Sequence, residues 1–124
     1  MNVMTQKEEL LGTAYAENIS LEIFALGNDN AVMGLRAEWR KRLDRPGGFI
    51  REIVCVKESN VWALYEKEGR VNLPVLRRPQ NGASILDTLM KEVMANRRSE
   101  EFAFDALEAL REKAQKKIEE LMAT

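Results

Sequence analysis

The chain has no histidine and a single cysteine, Cys55. Without histidine there is no Ser-His-Asp or Cys-His catalytic arrangement, and no imidazole to titrate near neutral pH. Without clustered cysteine and histidine there is no metal site of the zinc type, so the sequence implies no metal and no cofactor. A lone thiol closes no internal disulfide, which fits a cytoplasmic setting. No apolar run approaches the ~20 residues of a membrane span. The stretch from Met1 to Glu9 lacks the basic-then-apolar order of a signal peptide, so no membrane partner is expected. Gly47-Gly48 is not followed by Lys-Ser/Thr, and no G-x-G-x-x-G occurs, so a familiar phosphate-cradling loop is missing too.

The 124 residues are 45% hydrophobic and 31% charged, the balance of one folded domain over 1–124 with a core of its own. A net charge of −1 hides a segregation. Residues 1–30 carry one lysine against five acids. Residues 31–80 carry eight arginines and three lysines against six acids. Residues 81–124 carry seven bases against nine acids. Positive charge is thus concentrated mid-chain, mostly as arginine.

The pattern predicts an α+β fold: an antiparallel meander of four to five strands, with a short N-terminal helix and two C-terminal amphipathic helices. The helix falls in 1–18. Thr5-Gln6-Lys7-Glu8 fits a capping box, Leu10, Leu11, Ala14 and Tyr15 follow at helical spacing, and Asn18 is a stop. The sheet occupies 19–78. Ile19 to Leu26 alternates into a strand. Ala31 to Asp44 is readable as strand or helix, and the alternation of Met33, Leu35, Ala37 and Trp39 together with Gly34 favours strand. Arg45-Pro46-Gly47-Gly48 is a turn. Phe49 to Lys57 follows as a central strand, because Ile53 to Val56 are apolar on both faces. Val61 to Tyr65 and Val71 to Val75 complete the sheet, the last at an edge because Pro74 cannot donate to a ladder. The helical part, 83–123, starts at a cap-like Ser84-Ile85-Leu86-Asp87. It breaks at Asn96-Arg97-Arg98 and restarts with Ser99 as the cap of the last helix.

Four features are candidates for chemistry. Arg36, Arg40, Lys41, Arg42, Arg45 and Arg51 fall within sixteen residues, with Trp39 among them, and Arg70, Arg77 and Arg78 come from a neighbouring hairpin. Converging guanidinium forks hold phosphate or carboxylate, and a ring among them can stack on a base. The plainer expectation is that these arginines are neutralised by Glu38, Asp44, Glu52 and Glu66, and that Trp39 is core. Cys55, flanked by Val54 and Val56, reads as buried and inert. Glu52 is the best single acid-base candidate, beside Arg51, but shows no second carboxylate to work with. Met90, Met94, Phe102 and Phe104 could form an adaptable interface. Two helices cover only one face of a sheet, and a second copy of the chain is the simplest cover for the other, so a homodimer is expected.

The leading expectation is therefore a non-enzymatic binding or regulatory protein. It would grip an acidic protein or nucleic acid with its arginines and self-associate through its helices. The alternatives are a ligand carrier or enzyme with a pocket between the sheet and the C-terminal helices, lined by Trp62 and Tyr65 and using Arg51 or Arg70 with Glu52, and a structural subunit of a larger assembly.

Overall fold

The computed structural model describes the backbone of residues 7–28, 31–41, 49–58, 61–68, 71–72, 76–79 and 84–122, and side chains within 8–27, 32–41, 51–56 and 84–122. It is an antiparallel open sheet with two helices, an α+β arrangement. The long strands are β1 (Lys7–Tyr15), β2 (Ile19–Asn28), β3 (Ala31–Lys41), β4 (Phe49–Glu58) and β5 (Val61–Glu68), each hydrogen-bonded to the next. Helix α1 (Ile85–Ala95), a 3-10 segment (Arg97–Glu101) and helix α2 (Phe104–Met122) follow.

The expected N-terminal helix is absent: Lys7 to Tyr15 is an edge strand, and residues 1–6 lie outside the described residues. The physical reason is a bulge. The β1–β2 register steps from Leu10↔Phe24 to Gly12↔Ile23, so Leu11 is an extra residue. A bulge breaks the two-residue alternation of a strand. The inward pair Leu11 and Ala14 is consequently three apart, a spacing that imitates a helix.

The expected strand Val71–Val75 is also not seen as such. The chain pairs with β5 at β6 (Val71–Asn72) and again at β7 (Leu76–Pro79), and residues 73–75 lie outside the described residues. Pro74 lacks the N–H that an uninterrupted ladder needs. The ambiguous stretch is strand β3, ending at Lys41; Arg42 to Asp44 lie outside the described residues.

Alternation builds the core. Ile19, Leu21, Ile23 and Ala25 of β2, Leu35, Ala37 and Trp39 of β3, and Ile53 and Cys55 of β4 are buried on one face. Leu86, Leu89, Met90 and Val93 of α1 and Leu107, Leu110 and Ala114 of α2 complete the same cluster. Gly12 is small because α2 crosses there: an ideal Cβ would stand 2.9 Å from Leu110 Cδ1. Trp39, the largest fully buried side chain, donates its indole N–H to Ser99 Oγ at 3.2 Å, which satisfies the one polar atom it carries inside.

The first helix starts as its sequence indicates, with the Ser84 hydroxyl accepting from the Asp87 backbone N–H at 3.0 Å. The second does not. Ser99 is buried within the 3-10 segment and is taken by Trp39, while Asn96 caps that segment by accepting from the Arg98 N–H. Lys117 of α2 reaches Glu9 of β1 at 3.8 Å, and Arg111 of α2 pairs with Asp87 of α1. Among the described residues no helix is long and apolar enough to cross a membrane.

Candidate functional site: the uncovered face of the sheet

Successive side chains on a strand point to opposite faces. The residues between the core positions therefore share the face away from the helices. On β3 these are Gly34, Arg36, Glu38 and Arg40, and their register partners on β2 are Leu26, Phe24, Glu22 and Ser20. On β4 they are Val56, Val54 and Glu52, opposite Gly34, Arg36 and Glu38. Leu10 of β1 stands opposite Phe24. Among the described residues, nothing from α1 or α2 joins this side.

One row of this face is unusual. Glu22 is paired with Glu38, and Glu38 with Glu52, so three carboxylates lie in register across β2, β3 and β4. Like charges directly opposite one another destabilise a sheet unless they are bridged. Arg36 and Arg40, two positions either side of Glu38 on β3, supply the bridge. Arg36 holds Glu8 with Nε and Nη2 at 3.1 and 3.2 Å, and Nη1 lies 3.2 Å from both Glu38 and Glu52. Arg40 Nη2 donates to the other oxygen of Glu38 at 2.9 Å, and its Nε is 3.7 Å from Glu22. Glu38, only 6% exposed, has a guanidinium on each oxygen. A carboxylate that deep costs several kcal/mol to desolvate, which only close, well-aligned partners offset.

The Arg36 guanidinium also lies over the Phe24 ring, 4.2 Å from its centroid. Burial opposes its charge, but the Glu8 hydrogen bonds and the Glu38 and Glu8 carboxylates outweigh that and hold its pKa above the ordinary arginine value. Beside the ion network runs an apolar strip. Leu10 is 46% exposed, Phe24, Val54 and Val56 are half-buried, and Leu26 closes over Gly34 together with Val56. A Cβ on Gly34 would meet Val56 Cγ1 at 2.8 Å and the Cys55 carbonyl at 3.0 Å, so glycine is what the packing allows.

The expected arginine anchor comes out differently. Arg36 and Arg40 do not converge on an outside anion; they are held by the chain's own glutamates, because the register sets them around a carboxylate row. Trp39 is not a stacking surface: alternation turns it into the core, fully buried. Lys41 is exposed at the end of β3, and Arg51 is half-buried opposite Trp39 in the register. Arg42, Arg45 and Arg70 lie outside the described residues, as do Asp44 and the side chains of Glu66, Trp62 and Tyr65. Arg77 and Arg78 are placed by backbone only, opposite Ala63 and Trp62. Glu52 does have a second carboxylate near it, Glu38, but both serve Arg36. Among the described residues no group of three His, Cys, Asp or Glu side chains is arranged to hold a metal ion.

Cys55 is buried, and that burial, with the Glu92 charge second, pushes its thiol up to about 12, far from a reactive thiolate. Of the proposed helical interface, Met90 and Phe102 are core, because the apolar rows of α1 and the 3-10 segment turn onto the sheet; Met94 and Phe104 are exposed. Phe104 and Met122, the exposed apolar residues of α2, stand at its two ends, about 27 Å apart at 1.5 Å per residue, and so do not make one patch.

Glu38 and Glu52 neutralise arginine as the plainer expectation had it, and the residues that matter on this face and were not singled out for it are Glu8, Leu10, Glu22 and Phe24. The available signal was the alternation of Glu22 and Phe24 against Leu21 and Ile23, which marks a mixed, half-solvated face. Comparison with known proteins finds no matching family model, no matching curated protein and no matching solved structure.

Proposed function

We propose that this chain is a non-enzymatic binding module that contacts another macromolecule through the uncovered face of its sheet. One observation carries the reading. The face opposite the helices, bare of other described elements, holds an apolar strip of exposed Leu10 with half-buried Phe24 and Val54, against a network of ion pairs that span β1 to β4. An apolar strip rimmed by fixed polar groups is the anatomy of a contact surface. The network holds the side chains in place before contact, which lowers the ordering cost of association. A catalytic reading has less support: histidine is missing, Cys55 is sealed, and Glu52 is engaged by Arg36.

The test is a photo-crosslinking amino acid placed at Leu10, and in a control at Lys116 on the solvent side of α2, followed by irradiation in native extract. A discrete adduct from position 10, missing from position 116, supports the assignment. Equal adducts from both, or none from position 10, removes it. Recovery of nucleic acid instead, with a steep loss at high salt, would return the anionic-partner reading through the arginines of the central third.

A further inference from the structure

The partner's chemistry follows from what the network leaves unsatisfied. We propose that the uncovered face docks a basic amphipathic helix of another protein, its apolar side on Leu10, Phe24 and Val54 and its lysines or arginines on Glu8, Glu22 and Glu52. The inference rests on the binding reading above and adds the sign of the partner. Among the described side chains of this face, four carboxylates (Glu8, Glu22, Glu38, Glu52) surround two guanidiniums (Arg36, Arg40). By backbone register Lys67, opposite Glu52, and Arg77, opposite Ala63, stand at the β5 side of this face, whereas Glu8 and Glu22 belong to its β1 and β2 side.

Exposure points the same way. Arg36 is only 13% exposed, and its Nε, Nη1 and Nη2 all face glutamates of this chain. Glu8, Glu22 and Glu52 keep 49%, 25% and 23% of their side chains in solvent. A carboxylate accepts about four hydrogen bonds, so these three retain capacity that the arginines have spent. An approaching surface meets open acceptors beside apolar side chains. Lysine or arginine at the margin of an apolar helix face complements that arrangement. At the β1–β2 side, where Glu8 and Glu22 stand, a second copy set like on like would bring carboxylate against carboxylate, and nucleic acid would meet the same repulsion.

The experiment uses the full chain and three amphipathic helical peptides of one leucine pattern, with lysine, glutamine or glutamate at the remaining positions. Binding is read by anisotropy at low and high salt. The lysine peptide is expected to bind about tenfold more tightly than the glutamine peptide, with the gap closing at high salt and the glutamate peptide weakest. Leu10→Ser is expected to weaken the lysine and glutamine peptides alike, and Glu22→Gln the lysine peptide alone. Both substitutions are at solvent-accessible positions, and thermal unfolding verifies that each variant is folded. Equal binding of all three peptides, still weakened by Leu10→Ser, overturns the charge assignment and keeps the binding face. So does a dimer in sedimentation that Leu10→Ser dissociates, since the face then belongs to a second copy. Lysine-peptide binding indifferent to Leu10→Ser, or no binding by any peptide, overturns both.

Discussion

On the helix side of the sheet, Leu21, Ile23, Leu35, Ala37, Trp39 and Cys55 are sealed from water by α1 and α2. On the other side, the residues interleaved with them, Glu22, Phe24, Arg36, Glu38 and Val54, are held by charges and aromatic contact. The same three strands thus carry two kinds of cohesion. The first depends on area removed from water and is not screened by salt as ion pairs are. The second depends on each carboxylate having a guanidinium within reach, so it is specific about partners and fails when one is removed. That difference explains how a sealed core can coexist with a face that is organised but not closed.

The largest break is expected on the covered side. Trp39→Ala should cost about 3–5 kcal/mol, the range for a large buried aromatic, and also strands the Ser99 hydroxyl. Denaturant unfolding measures it, and a loss below about 1 kcal/mol would show that the 3-10 segment does not roof Trp39.

The matching break on the open side is Arg36→Met. It should cost about 3 kcal/mol, the order found when a buried charge loses a partner. Much of that should return in the double variant with Glu38→Gln, because the remaining loss is a methylene-rich side chain for a guanidinium over Phe24. If Arg36→Met is neutral, the network is no more than a set of surface pairs.

Gly12→Ala sharpens the contrast from the seam between sheet and α2. The new methyl stands 2.9 Å from Leu110 Cδ1, the far end of a flexible side chain. A loss of about 1 kcal/mol is expected, at the low end for overpacking. A loss near zero would mean that α2 lifts freely from β1.

The smallest effect is at the helix pair, away from both faces. Arg111 first, and the Ser84 hydroxyl second, hold the Asp87 carboxyl below the usual aspartate range. A depressed carboxyl stabilises the fold at pH values above its unfolded value, near 3.9, and that contribution is lost as pH falls through its folded value. Asp87→Asn should therefore cost about 0.2–1 kcal/mol at neutral pH, the size of an exposed pair. Wild type and variant should converge in acid, which paired thermal melts at pH 7 and pH 3 would reveal.

How much of this was readable in the chain follows from what each feature depends on. The strands through Ile19–Leu26 and Phe49–Lys57, the start of α1 at Ser84 and the burial of Cys55 were legible, because alternation, a capping hydroxyl and flanking valines are local signals. The edge strand Lys7–Tyr15 was not, since the extra residue at Leu11 shifts the spacing to one a helix would also give. Ser99 was misread as a cap because its hydroxyl answers to Trp39, sixty positions away. The arginines of the central third were visible as a group, and two of the acids expected to neutralise them, Glu38 and Glu52, do so; Glu8 and Glu22, from strands more distant in the chain, were not legible.

By itself, the amino-acid order determined the α+β class, the inward identity of the core positions, and the exclusion of histidine- and thiol-based chemistry. Tertiary structure alone decided that Glu22, Glu38 and Glu52 form one row and that Arg36 and Arg40 serve it. Cross-strand register is set by turns, bulges and the packing of the opposite face, and none of these is encoded at the positions that end up side by side.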